Sequence, residues 1–185
     1  MYTRILVALD GSETSSRALD TALQLAQQSG AQLTPLYVID IPVLPFDAPG
    51  YDPSIVRDAF RDEGARVMAD AAQRMTEHGV HGTPTIVEVE PPGEDVAHRI
   101  RLAAQALPAD LIVMGTHGRR GFRRLVLGSV AERVLRTAPC AVLLIPAHGE
   151  VHPDQPEPVH NAASEKLREK QSPEKQSPES AKEPS

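Results

Sequence analysis

Up to Pro146 the chain has no lysine; all its full positive charges there are arginines, and Lys166, Lys170, Lys175 and Lys182 all come later. A phosphate loop of the G-x-x-x-x-G-K-[ST] kind is excluded from this region, because its lysine has no source and its spacing is absent. Cysteine is nearly as scarce. The single Cys140 excludes an intramolecular disulfide and a thiolate metal cluster, and its place beside an apolar run points to inert packing. Long apolar stretches are missing too. "ILVAL" breaks at Asp10, and nothing approaches the roughly 20 apolar residues that cross a bilayer. With no membrane segment and no leader pattern, a cytosolic location is expected. A basic face is also lacking: of the net charge of −6, −3 lies before Ala147 and −3 from there on, where 5 Lys+Arg meet 8 Asp+Glu. An acidic body argues against non-specific nucleic-acid binding, which relies on a basic surface.

What is present divides at Pro146. From Ala147 the sequence is polar and proline-rich, and "EKQSPEKQSP" is a tandem duplication of five residues. Such a segment buries too little apolar surface to offset its ordering entropy, so 147–185 is expected to be a disordered tail and 1–146 one domain. Within that domain short apolar runs alternate with amphipathic stretches. Strands are expected at 4–9, 32–40, 84–90, 109–115 and 141–146, and helices at about 10–30, 54–78, 93–107 and 129–138. Pro35 should push the second strand toward a sheet edge. On the second helix Val56, Phe60, Val67, Ala71 and Met75 fall along one side. Apolar strands alternating with helices imply an α/β fold with a parallel sheet covered on both faces. Ligands of such sheets bind beyond the carboxyl ends of the strands, where strand order reverses. The ends to inspect are Asp10, Val38 to Asp40, and Gly115 onward.

The richest of these ends is "DLIVMGTHGRRGFRRLVLGSV" (110–130). Gly115 ends an apolar run, Gly118 follows, and Gly128-Ser129 opens a helix. Glycine permits close approach of the backbone to a ligand, and free amides at a helix start favour an anion. By spacing alone, glycines between strand and helix are structural punctuation more often than a ligand cradle.

Together with "ILVALDGSETSSRAL" and "VLLIP", this stretch resembles the universal stress protein family over residues 2–146. Gly115, Gly118, Gly128 and Ser129 match the G-x2-G-x9-G-[ST] pattern of the family's ATP-binding branch without a gap. Ala8 stands where some members have proline, and Ala141 replaces the proline usual after the cysteine. The resemblance implies an open, Rossmann-like, five-stranded parallel sheet of order 3-2-1-4-5. It also implies ATP as ligand, with Mg²⁺ bridging the phosphates, and a homodimer that pairs through the last strand, 141–146. That strand is apolar and would otherwise be an aggregation hazard. Carried over by position, Ala8 and Asp10 lie toward ribose and adenine, and the backbone of Val38 or Ile39 meets the adenine. Met114, Gly115, His117 and Gly118, with Arg119 beside them, wrap ribose and phosphates. Gly128, Ser129 and Val130 hold the outer phosphates.

The residues leave alternatives open. Asp10 in "DGSE" is equally an N-cap with Glu13 as its box partner. Arg119, Arg120, Arg123 and Arg124 are either a solvated face or a local attraction for phosphate. His117 reads as a backbone contributor, and His78 and His81 as part of a turn. No general base stands near Ser129, and no "SGG-x-DS" loop follows the first strand. A nucleotide-binding stress-response dimer therefore leads. A slow ATPase related to adenine-nucleotide hydrolases and a nucleotide-independent scaffold dimer are the alternatives.

Overall fold

The computed structural model of the chain describes residues 1–41, 53–90, 92–118 and 127–146. The proline-rich stretch 42–52, Pro91, residues 119–126 with their arginines and the segment from Ala147 lie outside them. In chain order the elements are β1 (Arg4–Leu9), α1 (Glu13–Ser29), β2 (Gln32–Ile39), α2 (Pro53–Glu77), β3 (Thr85–Glu88), α3 (Val96–Ala106), β4 (Leu111–Gly115), α4 (Ser129–Thr137) and β5 (Ala141–Ile145). The five strands form one parallel sheet in the order β3-β2-β1-β4-β5.

Strand residues alternate between two cores, which is why the strands read as continuous apolar runs. Ile5, Val7, Leu9, Leu33, Tyr37 and Ile39 meet Ala18, Leu19, Ala22 and Leu23 of α1 and Met68, Ala71 and Met75 of α2. On the other face Leu6, Leu36, Ile112 and Met114 meet Ala97, Ile100 and Ala104 of α3 and Ala131 and Val134 of α4. The side of α2 that packs is slightly rotated from the expected one. Met68 is buried, while Phe60 and Val67 are only partly covered. The cause is Gly64, where a Cβ would come within 2.9 Å of the Tyr37 ring, so the helix sits down on the sheet at that residue.

Two local expectations are corrected. Pro35 lies in an interior strand, between β3 and β1. The Gln32 N–H reaches Thr3 on the β1 side and the Leu33 N–H reaches His81 on the β3 side. By alternation Pro35 faces β3, whose pairing begins only at Leu36 with Thr85. The missing donor falls just ahead of that ladder and costs no bond. The cap of α1 is Ser12, whose hydroxyl accepts from the Ser15 N–H at 3.2 Å, not Asp10. At the other end Gly30 closes α1 in the left-handed conformation at φ 68°.

Asp110, just ahead of β4, fastens that strand to β1. Its carboxylate accepts from the Thr3 N–H and hydroxyl, both at 2.7 Å, and from the Arg4 N–H at 3.1 Å. Burial works against the charge, but these bonds win and hold the Asp110 carboxyl below its ordinary value.

Candidate functional site

Strand order reverses between β1 and β4, and Asp10 and Gly115 stand at the carboxyl ends of those two strands. Asp10 is half-buried. One of its oxygens accepts from the Ser12 N–H at 3.0 Å and from the Ser12 hydroxyl at 2.6 Å. The other oxygen lies against Gly118: a Cβ built there would be 2.4 Å from it. The carboxylate is thus held in one orientation by Ser12 and admitted by the absence of a side chain at Gly118.

The other two glycines are required for different reasons. At Gly115 a Cβ would meet the Thr14 methyl at 2.7 Å, so the turn off β4 presses on the first turn of α1. At Gly128 it would meet the Thr116 carbonyl oxygen at 2.9 Å, the same oxygen that accepts from the Gly128 N–H at 2.8 Å. Thr116 also donates its N–H to Ile145 at 2.8 Å. It therefore joins the start of α4 to the end of β5.

Gly128 is the N-cap of α4 and supplies no side-chain hydrogen bond. The caps of α1 and α3, Ser12 and Asp95, both do. Among the described residues no side chain caps the first-turn amides of α4, and the exposed Ser129 hydroxyl begins the same turn. Val130 and Leu127 pack partly against the second core, which orients this end of the helix.

Ala8 and Val38 are half-buried and lie on the α3/α4 side of the sheet with the buried Met114. Ile39 faces the opposite core, and its carbonyl accepts from the Val89 N–H at 2.9 Å. By alternation along β2 the backbone of Val38 faces β1, just beyond the last paired residues Leu9 and Tyr37. His117 turns Nδ1 to the Thr116 hydroxyl at 3.0 Å. Its Nε2 is buried, and no described residue hydrogen-bonds it. Arg119 lies outside the described residues. Cys140 is partly covered, and burial first, then the charge of Asp110, pushes its thiol up. Among the described residues no three His, Cys, Asp or Glu side chains converge to hold a metal ion.

Sequence reasoning missed Ser12, Thr14 and Thr116. Nothing in the spacing of Gly115, Gly118 and Gly128 says which atoms each glycine must admit. Only "DGSE" held a hint, since serine is a strong N-cap residue and stands one position before Glu13.

An open parallel sheet with closely packed glycines at its switch point defines the class as a Rossmann-like α/β protein. Within that class the chain belongs to the Universal stress protein family, whose family model matches residues 1–146. It is 34% identical over 146 residues to a universal stress protein of Methanocaldococcus jannaschii, covering 78% of this chain and 82% of the relative. A crystal structure of a universal stress family protein from Burkholderia pseudomallei is 57% identical, with a TM-score of 0.66 over 79% of this chain and 97% of the other. A universal stress protein solved in complex with cAMP is 25% identical, with a TM-score of 0.58 over 78% and 97% of the two chains. No helix among the described residues is long and apolar enough to cross a membrane.

Proposed function

We propose that this protein binds ATP in the crevice between β1 and β4 and acts as a cytoplasmic, homodimeric stress-response factor in which the nucleotide is a conformational ligand. The observation that carries the reading is the pair of fits at the glycines. Gly118 makes room for an oriented Asp10 carboxylate, and Gly128 opens α4 without a capping side chain. A carboxylate fixed by Ser12 accepts hydrogen bonds from ribose hydroxyls. Uncapped amides and the Ser129 hydroxyl donate to phosphate oxygens, and hydrogen bonds to a charged group contribute about 1.5–3 kcal/mol each. Ala8 and Val38 line the adenine side, with the Val38 backbone preferred to Ile39 because the Ile39 carbonyl is already used. Met114, Gly115, His117 and Val130 complete the walls, and Arg119 adds positive charge. Mg²⁺, if it enters with the nucleotide, would neutralise phosphate charge at this site.

The start of α1 is unsuited to a second phosphate site. Ser12 caps it and Asp10 places a carboxylate there, which disfavours the adenylating reaction that needs pyrophosphate at that point. His117 is poorly placed as a general base, because Nδ1 is engaged by Thr116 and Nε2 is buried. Holding ATP is thus favoured over cleaving it.

Titration of the full chain with ATP by calorimetry tests the reading. Saturable binding that drops about tenfold in Ser129→Ala, whose exposed hydroxyl can be removed without repacking, with an unchanged circular dichroism spectrum, is expected. Absence of any binding by the wild-type chain would defeat it.

A further inference from the structure

Arg133 lies one turn beyond Ser129 on α4, so the two residues share a face of the helix. Helical side chains lean back toward the N-terminus of their helix. That lean carries the guanidinium toward the first turn of α4, where Ser129 and the uncapped amides lie. In the structure Arg133 pairs with Asp95, the N-cap of α3. The two helices cover the same sheet face, and each begins at the carboxyl end of the strand before it. The pair therefore joins the start of α3 to the second turn of α4, one turn from Ser129. It is also wet: the side chains are 61% and 38% exposed. Exposed pairs of this kind are weak and exchangeable. Asp95 has a second support, since its other oxygen accepts from the His98 N–H at 3.0 Å, so it stays satisfied when Arg133 leaves.

We propose that Arg133 is a phosphate-reading residue, exchanging Asp95 for the outer phosphates of a bound nucleotide and so favouring a triphosphate over a monophosphate. The proposal rests on the nucleotide site described above. A guanidinium fork matches phosphate geometry and gains more from a multiply charged phosphate than from one carboxylate. Asp95 then acts as a competitor that parks the arginine when no phosphate is present.

The two partners have opposite expected effects, which separates this role from a simple tie between α3 and α4. The full chain, Arg133→Gln, Arg133→Lys and Asp95→Asn are titrated with ATP, AMP and adenosine by calorimetry, and each is melted without ligand. Arg133→Gln should weaken ATP roughly tenfold while leaving adenosine within about twofold. Arg133→Lys should recover part of the loss. Asp95→Asn keeps an N-cap residue but lowers the competition, so ATP should bind more tightly. Equal losses for ATP and adenosine in Arg133→Gln, or weaker ATP binding in Asp95→Asn, would reduce the pair to a structural tie and overturn the proposal. A wild-type chain that binds none of the three ligands overturns the site itself, an outcome distinct from the others.

Discussion

Gly118 cannot take a side chain without displacing the Asp10 carboxylate, because the added carbon would stand 2.4 Å from its oxygen. The carboxylate can rotate away, but only by giving up its bonds to Ser12. Gly118→Ala should therefore leave the fold intact and weaken ATP binding roughly tenfold, as read by calorimetry. A melting temperature that falls steeply instead would make Gly118 a folding residue. Gly82 is the contrasting case. There a Cβ would lie 1.7 Å from the Leu33 carbonyl oxygen, a backbone atom that cannot swing aside, and φ is +155°. Gly82→Ala is expected to cost at least about 3 kcal/mol in chemical denaturation, whatever the ligand. In the sequence these two glycines look alike, each a turn residue beside a histidine. What separates a glycine facing a side chain that can move from one facing fixed backbone is the identity of the atom across the fold, which no local pattern carries. The same limit hid Asp110. Its carboxyl is held below the ordinary 3.8 by bonds from Thr3 and Arg4 that outweigh burial. A depressed carboxyl stabilises the fold above the unfolded value and loses that contribution as pH falls through the folded one. Stability should thus drop on acidification from about pH 4 downward, and Asp110→Asn should be less stable at neutral pH with a flatter acid limb in denaturant titrations.

Among the elements, the strands were the most legible, because burial on both faces leaves runs such as "RILVAL" and "LIVM" with no polar alternation to misread. The glycine spacing from Gly115 to Gly128 was legible as well, though its meaning came from resemblance rather than from the spacing itself. Element ends were less so. β3 is only Thr85–Glu88, and Pro35 misled because its effect depends on where the neighbouring strand begins, a tertiary fact. The edge strand β5 carries the prediction proper to this scale. The carbonyl of Ile145 faces β4, so by alternation Val142 and Leu144 direct their backbone groups to the free edge. Leu144→Pro removes a donor from that edge and none from the β4 ladder, a replacement that edge strands accommodate. If the chain dimerises through β5, sedimentation should show this variant as a monomer at concentrations where the wild type is dimeric, with α/β circular dichroism retained. A dimer that survives the substitution would place the interface elsewhere. Because Thr116 bonds both Ile145 and Gly128, loosening β5 should also reach the start of α4, and the variant's ATP affinity is worth following alongside.

For the whole molecule, the sheet order, the two cores and membership of the Universal stress protein family agree on one architecture, with its switch point at the β1–β4 reversal. On the proposed reading the site there is built of amides, hydroxyls and one oriented carboxylate, in a region with no lysine up to Pro146, and it holds its nucleotide rather than processing it. A ligand retained this way should survive purification. The most direct measurement is to denature freshly purified, wild-type protein and identify what is released into the supernatant by chromatography and mass. ATP or another adenine nucleotide near one equivalent per chain is the expected result. A supernatant free of nucleotide, from protein that also fails to bind added ATP, would contradict the nucleotide site.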